Sequence, residues 1–391
     1  MAAKPTTPAA LTWRGVTARR MARHALAVPA TGLGPAGIAG VLCGAHAQVL
    51  SAAELSIGRR MAGATRSDVR RALWQERTLV KTFGPRGTIH LLATDDLPVW
   101  TGALQALPSS VPTHPDGVRF TPEQAEEVIA AMGAALADGE LTVDQLTEAI
   151  ADRAGPWAVE QTMEAFGGKW PRWRQLTSTA AHRGMLCFGP DRDRKVTYTN
   201  PRRWLPGFRP ADAEAALRTL LTGYLYAYGP ATPQHFAKWL GIPPRYAAAQ
   251  FGRMASGLET VELAGEPAWT LAGDTATPPR PHRGIRLLPY FDAYLVASQP
   301  RDRLYPGAAA ARALPPAGQA GNYPVLLVDG VVGGVWHQRR RGRKLAITVE
   351  PLRELTASQR RQLDDEVDLV AAIMEAPATL TVGTVTVGAH A

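Results

Sequence analysis

The chain is poor in cysteine and in long apolar runs. Of its 391 residues only two are cysteines, Cys43 and Cys187, and their separation fits no C-x-x-C motif. This argues against a disulfide framework and indicates a reducing cytoplasm. No apolar run approaches the roughly 20 residues that cross a bilayer. The segment Met1–Leu11 has one Lys and no apolar core, so it does not resemble a signal peptide. We therefore expect a cytoplasmic protein without a membrane partner.

Metal and nucleotide signatures are also scarce. The nine histidines contain no H-x-x-x-H pair, so we expect no metal site. The stretch Gly32–Gly37 matches G-x-G-x-x-G, but a predicted helix precedes it, whereas a dinucleotide fingerprint needs a strand there. We interpret these glycines as a flexible entry to the next helix. The sequence thus predicts no cofactor.

Arginine supplies most of an uneven charge balance. The chain has 43 Lys and Arg against 34 Asp and Glu, a net charge of +9, and only six of the basic residues are Lys. Two explanations stay open: a genome rich in G and C, which raises Ala, Arg, Gly and Pro together, or a polyanionic partner, since guanidinium groups bind phosphate bidentately. Clustering favours the partner, because five cations fall in six consecutive positions. They are Arg339, Arg340, Arg341, Arg343 and Lys344.

One supersecondary pattern occurs three times along the chain. Each copy has three helical stretches followed by two strand-like runs around a Gly-containing turn, which is the plan of a winged helix. In the first copy the helices are predicted over Val16–Val28, Pro35–Gln48 and Ser67–Gln75, and the strands over Thr78–Phe83 and Thr88–Leu92. The copies share this layout and not their sequence. Tandem winged helices in an Arg-rich chain favour nucleic acid as the partner.

The pattern changes after Thr275. The stretch Thr277–Gly284 is predicted to be a linker, and most segments after it are β-like, the last of them Leu380–Val387. Asp329-Gly330 lies between two apolar runs and predicts a hairpin, and the five clustered cations lie on the next turn. One acidic helix is predicted near Ser358–Met374. We expect an α+β protein of three tandem winged-helix modules and a C-terminal β-rich, barrel-like domain with a cationic hairpin tip. The predicted bounds are 10–110, 118–205 and 210–276 for the modules and 284–391 for the last domain.

Two polar side chains, His46 and Gln48, end the apolar stretch 38–48. On a helix, the i, i+2 spacing points them about 200° apart, so both face one site only at a helix end or in a turn. Leu50–Ala53 supports such an end. From the residues alone, an exposed helix terminus and a polar functional site both stay open.

Four stretches of the chain, taken in order, carry a resemblance to a known family. They are Ala45–Gln48, Leu73–Trp74 with Val80–Leu91, Leu287–Leu295 and Val325–Trp336. Together they resemble the AlkZ/YcaQ family of bacterial DNA glycosylases, whose members carry Gln-x-Gln or Gln-x-Asp at the place of His46-Ala47-Gln48. The departure at His46 resembles the His-x-Gln variant of members associated with self-resistance to bulky DNA-alkylating antibiotics.

The resemblance implies a monofunctional DNA glycosylase that removes bulky N7-alkylguanine from duplex DNA, with His46 and Gln48 as catalytic residues. Alkylation at N7 places a positive charge on the base, so the base leaves readily and little acid catalysis is required. A neutral imidazole and an amide oxygen can then hold a water and stabilise an oxocarbenium-like transition state. The motif has no Lys for a Schiff base, so we expect an abasic product without strand cleavage. We expect a monomer that needs no protein partner.

Two segments are the expected DNA contacts: the wing of the first winged-helix module and the cationic hairpin tip of the last domain. Arg86, Thr88 and His90 lie on or just after the wing, where side chains meet phosphates, although Arg86 also fits a role that only ends a turn. The five clustered cations fit a groove contact or a solvated hairpin tip.

Two further predictions concern structure more than binding. Asp292 fits a family motif as active-site support, but a cap or brace of the β-rich domain is the favoured interpretation. Three tryptophans, Trp157, Trp170 and Trp173, are predicted to lie in the core and not to stack on bases.

Two rival functions stay open. One is a non-enzymatic winged-helix regulator that uses His46 and Gln48 to contact DNA. The other is a glycosylase for simple alkylpurines or interstrand crosslinks. We also expect a bulky intercalated adduct to resist the base extrusion that glycosylases ordinarily use, so that the enzyme reaches the bond in the groove.

Overall fold

A computed structural model describes residues 8–108, 115–165, 168–281 and 283–388. His282 of the predicted linker and the predicted domain ends at 110 and 391 lie outside these ranges. The chain divides into two compact units. The first combines Met1–Ala72 with Leu221–Ala391, and the second is Leu73–Leu220. None of the helices in the described ranges is both long and apolar enough to cross a membrane.

The helices of the described residues are α1 (Trp13–Arg23), α2 (Pro35–Val41), α3 (Leu50–Gly58), α4 (Arg66–Trp74), α5 (Leu97–Gln105), α6 (Pro122–Ala135), α7 (Val143–Ala154), α8 (Thr177–His182), α9 (Ala213–Tyr228), α10 (Pro233–Leu240), α11 (Pro244–Arg253), α12 (Ala293–Ala297), α13 (Arg301–Leu304), α14 (Ala308–Ala313) and α15 (Ala357–Ile373). Several begin at a threonine whose hydroxyl accepts from the backbone N–H three residues on, while that residue's side chain accepts from the threonine N–H. These capping boxes start α6, α7, α10 and α15.

The strands are β1 (Ala9–Leu11), β2 (Ala45–His46), β3 (Leu79–Phe83), β4 (Ile89–Ala93), β5 (Leu141–Thr142), β6 (Gln161–Ala165), β7 (Gly168–Pro171), β8 (Cys187–Arg192), β9 (Lys195–Thr199), β10 (Leu258–Leu263), β11 (Glu266–Leu271), β12 (Ile285–Leu288), β13 (Val325–Val328), β14 (Val331–Arg341), β15 (Lys344–Pro351) and β16 (Ala378–Val382). The sheets are small and the helices lie between them in sequence. The α+β prediction is therefore confirmed.

The first unit is built on a five-stranded sheet of order β12-β13-β14-β15-β16. Neighbouring strands are antiparallel except β15 and β16, which run parallel because α15 connects them. Apolar side chains of the sheet, including Trp336 and Ile347, share a core with Leu55 of α3 and Val370 of α15. Within the described chain β12 and β16 are the two edges, so the sheet is open. The barrel-like expectation for this domain is wrong, because the two edge strands do not pair.

A second sheet in the same unit has the order β1-β10-β11. The β10–β11 hairpin turns at Ala264-Gly265, close to the predicted Gly-containing turn, and β1 adds to β10 in parallel. Val16 of α1 packs on this sheet together with Val261 and Ala268. This packing places α1 beside the hairpin that follows α11 in the chain.

The second unit has its own core of α6, α7 and α8 against the sheet β5-β9-β8. Trp173 is fully buried there, as predicted, and its indole N–H donates to the Thr147 hydroxyl at 3.0 Å. Trp170 is different. It lies on the β6–β7 hairpin, which the sequence did not predict, and is 43% exposed under the guanidinium of Arg174. Its assignment to the core is wrong, because the two-stranded hairpin buries little surface.

Several predicted elements have different bounds in the structure. The predicted helix Pro35–Gln48 ends at Val41, and the strand predicted over Leu380–Val387 is Ala378–Val382. Short or strongly apolar helices were missed, among them α3, α5 and the three between β12 and β13. These segments lack the one-sided apolar periodicity that predicts a helix, because they are buried on most sides or are only one turn long.

Candidate active site

The segment that carries His46 begins where α2 ends. Leu42 caps that helix, Cys43 adopts a left-handed conformation with φ of 52°, and Gly44 follows with φ of 93°. The Gly44 N–H donates to the Ala39 carbonyl at 2.8 Å and the Cys43 N–H to the Gly40 carbonyl at 3.0 Å. This pair of hydrogen bonds is the Schellman motif, which ends a helix and redirects the chain. The predicted helix over 42–48 is therefore replaced by this turn, the two-residue strand β2 and a bend at Gln48.

Along residues 45–48 buried and accessible side chains alternate. Ala45 and Ala47 are 0% exposed, whereas His46 is half-buried and Gln48 is exposed. The strand β2 ends at His46, and the chain bends at Gln48. Both polar side chains therefore face away from the core, on either side of a buried alanine.

An aromatic ring lies beside His46. The ring centroids of His46 and Phe291 are 6.3 Å apart and their planes are tilted by 33°. Tyr290 is the next ring, 6.4 Å from Phe291. All three side chains are partly exposed, so the imidazole has an aromatic neighbour on one side. His46 thus lies at the edge of a small aromatic cluster.

The residue after Phe291 is a fully enclosed carboxylate. Asp292 is 1% exposed and receives four hydrogen bonds. Arg60 donates to Oδ1 at 2.7 Å and to Oδ2 at 2.8 Å, the Ser56 hydroxyl donates to Oδ2 at 2.7 Å, and the Tyr294 N–H donates to Oδ1 at 3.0 Å. Asp292 also caps α12. The structural role that the sequence favoured for Asp292 agrees with these contacts.

The charge of Asp292 is set by two opposing effects. Burial would raise the pKa of its carboxyl, but the positive charge of Arg60 and the hydrogen bonds from Ser56 and the Tyr294 N–H outweigh burial and hold the pKa below its usual value. Asp292 is therefore ionised at neutral pH. With both oxygens occupied by donors, it is a poor proton acceptor for a substrate.

A second buried ion pair holds the same end of α3. Arg59 donates through both terminal nitrogens to Glu366 of α15 at 3.0 Å and through Nη1 to the Leu287 carbonyl at 2.8 Å. Glu366 also accepts from the Leu287 N–H at 2.9 Å. Adjacent arginines thus tie α3 to β12 and to the loop that follows it. The sequence signal for this arrangement is a pair of arginines, Arg59 and Arg60, directly after an apolar stretch.

His24 lies close to Arg60 and Asp292 and is completely buried. Its Nε2 lies 3.1 Å from the Ala227 carbonyl, and the rings of Tyr228 and Tyr294 contact it edge-on. Burial, with the nearby positive charge of Arg60, lowers the pKa of His24 to about 3. His24 is therefore a neutral part of the core.

The predicted wing of the first module is the hairpin β3–β4 in the second unit. Arg86 lies at its tip, exposed and in a left-handed conformation with φ of 60°. The Thr88 hydroxyl donates to the Pro85 carbonyl at 3.0 Å. His90 is 2% exposed, contacts the Thr88 carbonyl through Nδ1 at 2.8 Å, and has its pKa lowered by burial to about 3. A buried, neutral imidazole offers no charge to a phosphate, so the structure does not support the predicted contact by His90.

The five clustered cations lie on the hairpin β14–β15, as the sequence predicted. Arg341 pairs with Lys344 across the turn, and Arg339 pairs with Ala346. Because alternate residues face opposite sides of a strand, Arg339 and Arg341 share one face and Arg340 lies on the other. Arg340 donates to the Met374 carbonyl at 3.3 Å. Two of these arginines therefore extend from one face, while the third is tied to the end of α15.

Within the described residues no three His, Cys, Asp or Glu side chains come together as metal ligands. The ring of Phe291 lies beside His46, and Gln48 follows two residues later in the chain. An imidazole and an amide suit the positioning of a neutral water or of a developing positive charge.

Comparison with known proteins identifies the family. The family described as DNA glycosylase AlkZ-like matches residues 40–373. This chain belongs to that family. It is 33% identical over 341 residues to a Streptomyces sahachiroi protein named interstrand DNA cross-link repair glycosylase, covering 83% of this chain and 87% of that protein. The solved structure of Streptomyces sahachiroi DNA glycosylase AlkZ matches with a TM-score of 0.80 and 29% identity, over 95% of this chain and 100% of that one.

Membership of the AlkZ-like family makes the chain a DNA glycosylase, an enzyme of DNA repair that acts on N-glycosyl bonds. The resemblance noted from four sequence stretches is confirmed. The interpretation as a non-enzymatic regulator is disfavoured by the same match. The matched range includes His46, Gln48 and Asp292.

Proposed function

We propose that this AlkZ-like glycosylase hydrolyses the N-glycosidic bond of bulky N7-alkylated guanine in duplex DNA, with His46 and Gln48 as its catalytic residues. The observation that carries the proposal is the burial pattern of residues 45–48, where buried alanines alternate with two side chains that face away from the core. A water positioned by an imidazole and a carboxamide can attack the anomeric carbon as the alkylated base departs.

The chemistry needs few groups because the lesion supplies part of the driving force. A base alkylated at N7 leaves as a neutral molecule, so no strong acid is required. The amide oxygen of Gln48 stabilises positive charge that develops on the sugar, and neutral His46 orients or deprotonates the water. Asp292 does not take part in the proton transfer, since its oxygens are saturated by four donors.

Duplex DNA binds, in this proposal, through exposed cations. Arg339, Arg341, Arg343 and Lys344 are exposed on one hairpin, and Arg86 is exposed on another. Each contact neutralises a phosphate and releases counterions. We also propose that the three predicted winged-helix modules are the DNA-binding framework, that the enzyme is a monomer, and that a bulky lesion is reached in the groove without extrusion of the base.

Crosslink repair is the second candidate function, and one observation favours it. The relative that is 33% identical is named as an interstrand DNA cross-link repair glycosylase. An N7-linked crosslink contains the same cationic guanine and the same scissile bond. Simple alkylpurines would also satisfy the chemistry of His46 and Gln48, so substrate comparison must decide among the three lesions.

The deciding experiment is single-turnover base release from matched duplexes. One carries a polycyclic N7-guanine adduct, one carries 7-methylguanine, and one carries an N7–N7 interstrand crosslink. Wild type, His46→Ala and Gln48→Ala are compared at enzyme concentrations that saturate binding. We expect release from the bulky adduct to be fastest and to fall about 100-fold or more in either variant, as expected for lost proton-transfer or charge-stabilising groups.

Three results would change the proposal. Fastest release from the crosslink would make crosslink unhooking the function. Fastest release from 7-methylguanine would make the chain a general alkylpurine glycosylase. Unchanged rates in both variants would show that the catalytic residues lie elsewhere.

A further inference from the structure

We infer that Phe291 is a positioning residue for His46, and that Asp292 acts through Phe291 by holding it in place. The inference rests on the proposed catalytic role of His46. It assigns a task to an aromatic residue and to a buried ion pair that the proposed chemistry does not use.

The first observation is the backbone of Phe291. Its φ is 54°, in the left-handed region that bulky residues rarely adopt. Such conformations are strained and persist only where the surrounding structure enforces them. They are concentrated at functional sites, where the strain holds a group in a required position. Here the ring of the affected residue is the one that lies 6.3 Å from His46.

The surroundings that enforce this conformation are on both sides of Phe291. Its N–H donates to the Gly321 carbonyl at 2.7 Å. Gly321 must be a glycine, because it has φ of 92° and a Cβ there would come within 2.9 Å of the Phe291 Cα. On the other side Asp292 is fixed by its four hydrogen bonds. Contacts on both sides therefore hold the backbone of Phe291 in this conformation.

The anchor at Asp292 also reaches the chain that carries the catalytic pair. Ser56 lies on α3, and Arg60 lies two residues after the end of that helix. The same helix begins at Leu50, two residues after Gln48. The carboxylate therefore joins the far end of that helix to the loop that carries Phe291. Movement of either segment would change the separation of the His46 and Phe291 rings. The buried ion pair of Asp292 and Arg60 thus sets the separation of the His46 and Phe291 rings without contacting either ring.

The ring itself restricts the imidazole. An aromatic pair with centroids 4.5–7 Å apart has preferred orientations, and a half-buried imidazole beside a fixed ring has fewer rotamers than an exposed one. A catalytic imidazole must direct one nitrogen at the water within hydrogen-bond reach. A displacement of about 1 Å in such a group can cost 100-fold in rate. Phe291 therefore supplies orientation and makes no contact with the proton in transfer.

The test separates the ring from the strained backbone. Phe291→Gly removes the ring and relaxes the left-handed conformation, Phe291→Leu keeps bulk without a ring, and Phe291→Tyr keeps the ring. Ala264→Gly is the control, because Ala264 also has positive φ, of 52°, but lies exposed in the β10–β11 turn. Single-turnover release is measured against enzyme concentration, which gives a maximal rate constant and a half-saturating concentration separately.

We expect the maximal rate constant to fall about 100-fold in Phe291→Gly and clearly in Phe291→Leu. The half-saturating concentration should stay within about twofold of wild type, since DNA binding is unaffected. Phe291→Tyr should restore most of the rate, and Ala264→Gly should match wild type. A ring that only filled space would be replaced by Leu without loss. If Phe291→Gly does not fold, the Leu and Tyr variants decide the question.

His46→Ala is included so that two failures stay distinguishable. If His46→Ala is inactive while Phe291→Leu and Phe291→Gly release base at the wild-type rate, the positioning role is wrong and the catalytic assignment stands. If His46→Ala is fully active, the catalytic assignment itself is wrong and the positioning role is lost with it.

Discussion

At the scale of single residues, Asp292 shows what a buried charge requires. Its carboxylate is enclosed by Arg60, Ser56 and a backbone N–H, and neither member of the ion pair is accessible to solvent. Such a pair adds little net stability when intact, but removal of one partner leaves an uncompensated charge in the interior. The pair is therefore better explained as a device that fixes geometry than as a source of stability.

Asp292→Asn should lower the free energy of unfolding by about 3–5 kcal/mol, because the variant leaves the Arg60 guanidinium buried without an anion. Denaturation in urea, followed by circular dichroism, measures the loss. Ser56→Ala is the matched control. It removes one neutral donor to the same carboxylate and should cost only about 1 kcal/mol. Equal losses in the two variants would contradict the charge argument.

At the scale of elements, the turn after α2 decides where His46 points. Gly44 has φ of 93° and its N–H closes the Schellman motif on Ala39. Gly44→Ala places a Cβ in a conformation that costs an L-residue about 1–2 kcal/mol. We expect that loss in urea denaturation together with slower single-turnover base release. Gly342→Ala, at φ of 60° in the exposed turn of β14–β15, should share the first effect and not the second.

The hairpin β14–β15 gives a prediction that depends on the alternation of its side chains. Arg339→Ala and Arg341→Ala should each reduce the slope of log affinity against log salt by about 1, as expected for one lost phosphate contact. Arg340→Ala should change the slope less, because Arg340 lies on the opposite face and donates to the Met374 carbonyl. Fluorescence anisotropy with labelled duplex DNA at several salt concentrations measures the slopes. Three equal slopes would show that the whole tip binds without regard to face.

Elements with local signals were predictable, and elements set by tertiary contacts were not. Asp329-Gly330 adopts positive φ at both residues, as a two-residue hairpin turn requires, so that hairpin was predicted from the sequence. The end of α2 depends on a left-handed Cys43, which no propensity indicates. The open sheet depends on which strands pair at its edges. The ion pair of Asp292 with Arg60 joins positions 232 apart in the chain, beyond any sequence period.

In the candidate site, too, residues with a local sequence signal were predictable and residues placed by tertiary contacts were not. The polar pair His46 and Gln48 was visible because it interrupts an apolar run. Phe291 could not be assigned to the site from the sequence, because it lies 245 residues from His46 and only the tertiary fold brings the two rings together. The burial of His90 was not visible either, because its place in a strand beside a basic turn resembles an exposed wing.

At the scale of the whole molecule, two fully buried neutral histidines make stability depend on pH. His24 lies in the first unit and His90 in the second, and burial lowers the pKa of each to about 3. An unfolded histidine has a pKa of about 6.5. Between these values the unfolded chain binds more protons than the folded one, so the stabilising contribution is complete above about pH 6.5 and is lost as the pH falls towards 3. Asp292 adds a further loss only below about pH 4, where unfolded carboxyls become protonated.

Lowering the pH from 7.5 to 5.5 should therefore destabilise both units. At pH 5.5, one unit below the pKa of an unfolded histidine, each buried imidazole should lower the free energy of unfolding by about 1.4 kcal/mol relative to its value at high pH. His90→Gln should have a lower free energy of unfolding than wild type at pH 7.5. Between pH 7.5 and 5.5 it should lose about 1.4 kcal/mol less than wild type. Urea denaturation at constant ionic strength measures both values. His337→Gln is the control, because His337 is only partly buried on β14 and should leave the pH dependence closer to that of wild type. If His90→Gln and wild type lose the same free energy between the two pH values, folding does not lower the pKa of His90, and the exclusion of His90 from phosphate binding would have to be withdrawn.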